Sequence, residues 1–231
     1  MEPIDDELRN RLCVALDVDD RVEAVRIARD LSPWFGVAKI GLELFTAAGT
    51  EMIGILQGLG YQVFLDLKMY DIPTTVEKAS RVLGALGVKY ATYHGHAGKE
   101  VLEAGARGLR QGAADAELEE PVPLAITVLT SDADAPDHIM PARVMLAAEA
   151  GMGGIVCGPN DVKDAKQYAP RLLVATPGIR PEGSDHHDQR RVATPKMAFD
   201  NGSDLLVIGR AVTLADDRVT AAEAIVDSAL S

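Results

Sequence analysis

Gln62-Val63-Phe64-Leu65-Asp66-Leu67-Lys68-Met69-Tyr70-Asp71-Ile72-Pro73-Thr74-Thr75-Val76 begins as an apolar run and ends in a helix-like one. The first four residues read as a buried strand. Residues two apart in a strand share a face, so Asp66 and Lys68 point the same way. Asp71 follows just past the strand end, ahead of the Val76–Leu86 helical pattern. Two acids and a lysine thus converge within six positions. Unpaired charge is costly in a dry setting, so the cluster must be mutually compensated. A structural ion-pair network satisfies that demand, and so does an active site.

Outward from this stretch the chain alternates between two patterns. Short runs rich in Val, Ile and Leu occur at Leu12–Val18, Val37–Leu42, Gln62–Lys68, Tyr90–His94, Leu124–Thr130, Gly154–Gly158, Leu172–Gly178 and Leu205–Arg210. Between them lie amphipathic segments. In Val22–Leu31, apolar residues at 24, 27, 28 and 31 have helical spacing. Val76–Leu86, Glu100–Leu109, Ala142–Ala150, Pro195–Asn201 and Ala221–Leu230 behave alike, and Gly87, Gly151 and Gly202 read as helix stops. Gln111–Pro123 is expected to be a loop around the acidic Glu117-Leu118-Glu119-Glu120. Eight strand–helix units in 231 residues predict an α/β fold, a single-domain (β/α)8 TIM barrel over 1–231. A doubly wound open sheet is the alternative. No linker or low-complexity tract interrupts the pattern.

In such a barrel, active sites lie at the C-terminal ends of the strands. The polar residues that close the apolar runs are Asp17, Lys39, Asp66 with Lys68, His94, Thr130 and Arg210. Toward the end, Ala175-Thr176-Pro177-Gly178-Ile179-Arg180 leaves one strand and Asp188-Gln189-Arg190-Arg191 closes the following loop. Ile208-Gly209-Arg210-Ala211 leaves the next strand. Phosphate sites in this fold often follow strands seven and eight. Gly209 lets backbone approach closely, and arginine grips phosphate with two donors. Solvated surface arginines are the plainer reading. Gly151-Met152-Gly153-Gly154 is no dinucleotide fingerprint, because it follows a helix and precedes a strand.

Composition limits the partners. Net charge is −12 and the pI is about 4.8. Both argue against nucleic acid and anionic membranes as general partners. No apolar run is long enough to span a bilayer, and the acidic start does not resemble a targeting peptide, so a cytoplasmic protein is expected. Cys13 and Cys157 lie in apolar runs and read as small core residues. His94-Gly95-His96 and His186-His187 tempt a metal reading. No third ligand stands at zinc spacing, so His94 is read as a hydrogen-bonding neighbour of the site and the His186 pair as solvated.

Taken together, these motifs resemble the orotidine 5′-monophosphate decarboxylase family. Asp66-Leu67-Lys68-Met69-Tyr70-Asp71-Ile72-Pro73-Thr74-Thr75 is similar to its D-x-K-x-x-D-I-P-x-T signature. Ala15-Leu16-Asp17, Lys39-Ile40-Gly41, Val128-Leu129-Thr130-Ser131, Thr176-Pro177-Gly178-Ile179-Arg180, Asp188-Gln189-Arg190-Arg191 and Val207-Ile208-Gly209-Arg210 follow in the family's order. Part of the signature is shared with sugar-phosphate decarboxylases and synthases of the same superfamily. Thr74 departs from the usual asparagine.

The resemblance implies conversion of orotidine 5′-monophosphate to UMP and CO2 without metal or organic cofactor. It makes Lys68 the proton donor and sets Asp66 beside the substrate carboxylate. Lys39, Asp66, Lys68 and Asp71 form a charge network, with Asp71 and Thr75 supplied by the second subunit of a homodimer and Ile72 beside them. Asp17 and Lys39 match ribose-side contacts, and Thr130 a pyrimidine contact. Arg180, Gln189, Gly209 and Arg210, with Pro177, match the phosphate site. A Mg²⁺-dependent sugar-phosphate lyase and a non-catalytic nucleotide-binding barrel are the competing readings.

Overall fold

A computed structural model describes residues 4–129, 132, 135–181 and 193–231. Eight parallel strands close on themselves in sequence order. They are β1 Leu12–Leu16, β2 Val37–Ile40, β3 Gln62–Met69, β4 Tyr90–His94, β5 Val122–Ile126, β6 Gly154–Val156, β7 Leu173–Pro177 and β8 Leu205–Ile208. The outer layer comprises α1 Asp6–Arg9, α2 Arg21–Leu31, α3 Leu42–Ala48, α4 Glu51–Gly58, α5 Pro73–Ala85 and α6 Lys99–Asp115. It continues with α7 Ile139–Glu149, α8 Val162–Tyr168, α9 Pro195–Asp200, α10 Arg210–Thr213 and α11 Arg218–Leu230. The (β/α)8 barrel is the observed fold, and the open sheet is excluded by the β1–β8 pairing of Leu12 with Leu206.

The strands are buried on both faces, which is why they read as near-continuous apolar runs. Alternation sorts their side chains into two cores. Leu12, Val14, Leu16, Ala38, Ile40, Val63 and Leu65 face the helices. Cys13, Ala15, Val37, Phe64, Tyr90, Leu124, Ala175, Leu205 and Val207 fill the barrel. The barrel-facing phase then runs on, two residues at a time, to Asp17, Lys39 and Asp66 at the C-terminal mouth. The apolar plug below and the charged row above are therefore one period continued.

Helix starts follow local chemistry. The Asp20 side chain accepts from the Glu23 amide, and Asp217 accepts from the Val219 and Thr220 amides. Pro73 occupies the first turn of α5, where its missing N–H removes nothing. The α5–α6 contact is exceptionally close. A Cβ at Gly84 would collide with the Leu109 carbonyl, one at Gly108 with the Glu77 carbonyl, and one at Gly112 with the Arg81 carbonyl. Glycine at these positions lets the two backbones touch.

The differences from the sequence reading are local. Gln111–Pro123 is not one loop, because α6 runs to Asp115 and β5 starts at Val122. The acidic stretch misleads there: Asp115 is paired with Arg81 at 2.7 Å, so its charge is tolerated on a helix. Strand β5 ends at Ile126, so Val128 and Leu129 belong to the following loop. Helices α3, α4 and α8 carry short patterns, seven to eight residues each, and Gly49 at φ 62° separates the first two.

Candidate active site

The C-terminal mouth opens into a cavity of about 600 Å³. Asp17, Lys39, Asp66, Lys68, Pro177, Arg180, Gly209 and Arg210 all line it. These come from five different strand ends, as the barrel reading requires. Most of the rest of the wall is apolar, including Ile126, Val128, Leu129, Val156 and Leu214. A pocket lined by both charged and apolar side chains suits a flat ring carrying an anionic group.

The charged side is a row of alternating sign. Lys39 Nζ donates to Asp17 Oδ1 at 2.8 Å and lies 3.8 Å from Asp66 Oδ2. Lys68 Nζ donates to the same Asp66 oxygen at 2.9 Å. Burial opposes a charge on Lys39, but Asp17 and then Asp66 outweigh it, and the ammonium is held above its ordinary pKa. Gly41 makes room for this pair. A Cβ there would stand 2.8 Å from Asp17 Oδ1 and 3.1 Å from Lys39 Nζ.

Strand alternation explains why Asp66 faces the cavity, but not how Lys68 joins it. Pairing with β4 slips between Leu65 and Met69. Lys68 adopts φ 51°, in the left-handed region that side chains disfavour. The expected regular strand is interrupted at Lys68.

Elsewhere around the mouth, Arg180 is buried at 6% exposure just after β7, and Gly209 and Arg210 follow β8, which pairs with β1. Gln189, Arg190 and Arg191 lie outside the described residues, as do His186, His187 and the pyrimidine-contact candidate Thr130. Three predicted members do not reach the cavity. Asp71, Ile72 and Thr75 are exposed, with Ile72 66% accessible. The Asp71 carboxylate accepts from the Ile72 amide at 2.6 Å, and among the described residues no ion pair joins it to Lys68.

His94 ends β4, and its Nδ1 accepts from the His96 amide at 3.2 Å. Burial lowers its pKa, and Arg143, His96 and Lys68 lower it further. Its ring and that of His96 both lie 6.3 Å from the Tyr70 ring. Among the described residues, no group of three or more His, Cys, Asp or Glu is placed to hold a metal. Cys13 and Cys157 are free and buried, and burial pushes both thiols far up, so they pack as small apolar residues. No described helix is long and apolar enough to cross a membrane.

Thr92 is the site residue that the sequence reading passed over. It lies fully buried on the barrel-facing side of β4, in phase with Tyr90 and His94, and contacts both Asp66 and Lys68. A polar residue in that phase was the available signal.

The match to known proteins covers this whole framework. Residues 10–225 match the model of the Orotidine 5′-phosphate decarboxylase / HUMPS family. The chain belongs to this family. Relatives named orotidine 5′-phosphate decarboxylase include one from Moorella thermoacetica, 41% identical over 94% of this chain and 91% of its own length. Another, from Dichelobacter nodosus, is 43% identical over 93% of this chain and 96% of its own. Among solved structures, the orotidine 5′-phosphate decarboxylase of Lactobacillus acidophilus aligns with TM-score 0.82 and 34% identity. That alignment spans 96% of this chain and all of that one.

Proposed function

We propose that this family member converts orotidine 5′-monophosphate to UMP and CO2, the closing step of UMP synthesis, as a homodimer in the cytoplasm. The observation that carries the reading is the alternating Asp17–Lys39–Asp66–Lys68 row on one side of the cavity. Decarboxylation breaks the bond between C6 and its carboxylate. The electron pair stays at C6, where no ring carbonyl readily delocalises it. An ammonium held at that carbon answers the developing charge and supplies the proton. Lys68 takes this role, and Asp66 holds its amine in place. Asp66 also sits against the substrate carboxylate and favours its departure.

Asp17 and Lys39 grip the ribose. Arg180, Gln189, Gly209 and Arg210, beside Pro177, take the phosphate, and Thr130 meets the pyrimidine edge. Asp71 and Thr75, with Ile72 beside them, reach the site of the second subunit, so each site is completed by its partner. Their exposure outside the chain's own cavity supports that arrangement. The single-domain decarboxylase needs no metal or organic cofactor in this scheme, since Lys68 supplies what a Lewis acid would.

The test is loss of orotidylate absorbance in the presence of EDTA, with UMP and CO2 identified as products. Lys68→Ala should lower kcat by at least about 10⁴-fold, the combined reach of a lost general acid and a lost charge. A pyrimidine substrate left intact, with EDTA-sensitive cleavage of a sugar phosphate instead, would favour the lyase reading. Tight UMP binding without turnover would favour a binding protein.

A further inference from the structure

Strand β3 pairs Leu65 with Ala91 and then, after the slip, Met69 with Tyr93. Three residues of β3, Asp66 to Lys68, therefore stand opposite one residue of β4, Thr92. A bulge of this kind leaves backbone groups without ladder partners. Here the Lys68 amide donates to the Thr92 side chain, Oγ1, at 2.9 Å. The same Oγ1 lies 2.9 Å from Asp66 Oδ1. An amide N–H can only donate, and a hydroxyl has one hydrogen. The Thr92 hydroxyl therefore accepts from Lys68 and gives its own hydrogen to Asp66.

We propose that Thr92 is a positioning residue that fixes Asp66 and Lys68 together through this single hydroxyl. The inference rests on the proposed role of Lys68 as proton donor. Three features give Thr92 this capacity. It is fully buried, so water does not compete for the hydroxyl. Its branched Cβ restricts χ1, so the oxygen is aimed before substrate arrives. By taking Asp66 Oδ1, it leaves Oδ2 to Lys68 at 2.9 Å and Lys39 at 3.8 Å. Without the hydroxyl, the left-handed turn at Lys68 loses its tether and the Asp66 carboxylate loses the anchor on Oδ1, keeping only its lysine contacts at Oδ2. The ammonium then loses its fixed place over the cavity. Small misplacements of a reacting group lower rates steeply, up to about 100-fold for ~1 Å.

The experiment compares Thr92→Val, which keeps shape and burial, with Thr92→Ser, which keeps the oxygen. Thr92→Val should lower kcat about 10- to 100-fold, while KM and UMP affinity by calorimetry stay within about threefold, because the proposed ribose and phosphate groups lie on or just after other strands, β1, β2, β7 and β8. Thr92→Ser should recover kcat to within about threefold of the parent. Should Thr92→Val fail to fold, Thr92→Ala against Thr92→Ser isolates the same oxygen. Lys68→Ala, assayed alongside, separates the two ideas. A dead Lys68→Ala with a fully active Thr92→Val overturns the positioning role and leaves Lys68 in its own. An active Lys68→Ala overturns both. A Thr92→Ser no better than Thr92→Val, or an effect confined to KM, also overturns it, since a fixed proton donor changes kcat.

Discussion

The left-handed backbone at Lys68 leads to a measurable asymmetry between Lys68→Gly and Lys68→Ala. Both variants lose the ammonium and its 2.9 Å contact with Asp66, so that loss cancels between them. In both, Asp66 keeps Lys39 at 3.8 Å and Thr92 at 2.9 Å, so the carboxylate is not stranded. What differs is the backbone. A side chain at φ 51° pays roughly 1–2 kcal/mol that glycine does not. Glycine in turn gives up about 0.5–1 kcal/mol of unfolded-chain entropy relative to alanine. The balance favours Lys68→Gly by roughly 0.5–1 kcal/mol.

Lys78 supplies the control, being exposed within helix α5. There Lys78→Ala should be more stable than Lys78→Gly by about 1 kcal/mol. Urea unfolding followed by circular dichroism, at one protein concentration and with equal m-values, reads both pairs. The preference should invert between positions 68 and 78, a swing of about 1.5–2 kcal/mol. If alanine beats glycine at 68 by the margin found at 78, Lys68 is not strained and the bulge carries no stored energy. Strain kept at one residue and offset by its surroundings is common where chemistry happens.

Two further outcomes test other parts of the molecule. Lys68→Ala and Asp71→Ala homodimers should each be nearly inactive, yet mixing them under subunit exchange should restore about half of the parental activity per heterodimer, because one site then receives both groups intact. No recovery, with heterodimers demonstrated by mass spectrometry, would assign Asp71 to its own subunit. At the α5–α6 contact, Gly112→Ala should destabilise by about 1–3 kcal/mol in thermal or urea unfolding, since its Cβ would meet the Arg81 carbonyl. An unchanged midpoint would mean the helices separate at no cost.

The barrel and the charges lining its mouth were legible because both depend on local periodicity. A two-residue repeat carries Cys13 and Ala15 on to Asp17, and Val37 on to Lys39, so reading the phase places the charges at the mouth. The glycines at 87, 151 and 202 stop helices in the left-handed conformation, with φ of 74°, 68° and 103°. These are properties of a residue and its near neighbours. The extent of α6 was not legible, because the acidity of Glu117–Glu120 dominated a window in which Asp115 is neutralised by Arg81 on another helix. Helices α3 and α8 hide for a different reason: seven residues offer too few turns for a period to emerge.

Thr92 marks the deeper limit. Its phase in β4 could be read, and phase alone puts its hydroxyl inside the barrel. Its value arises from the slip in β3, where three residues face one. The left-handed turn that gives Lys68 its place is disfavoured by lysine's own propensity, and Asp66-Leu67-Lys68 contains no glycine to announce it. The bulge exists because a neighbouring strand supplies the acceptor that the ladder lacks. A partner 24 residues away in sequence thus decides the conformation of the residue on which the proposed chemistry turns. Local pattern reveals which residues reach the cavity, but their aim is set by pairings between strands.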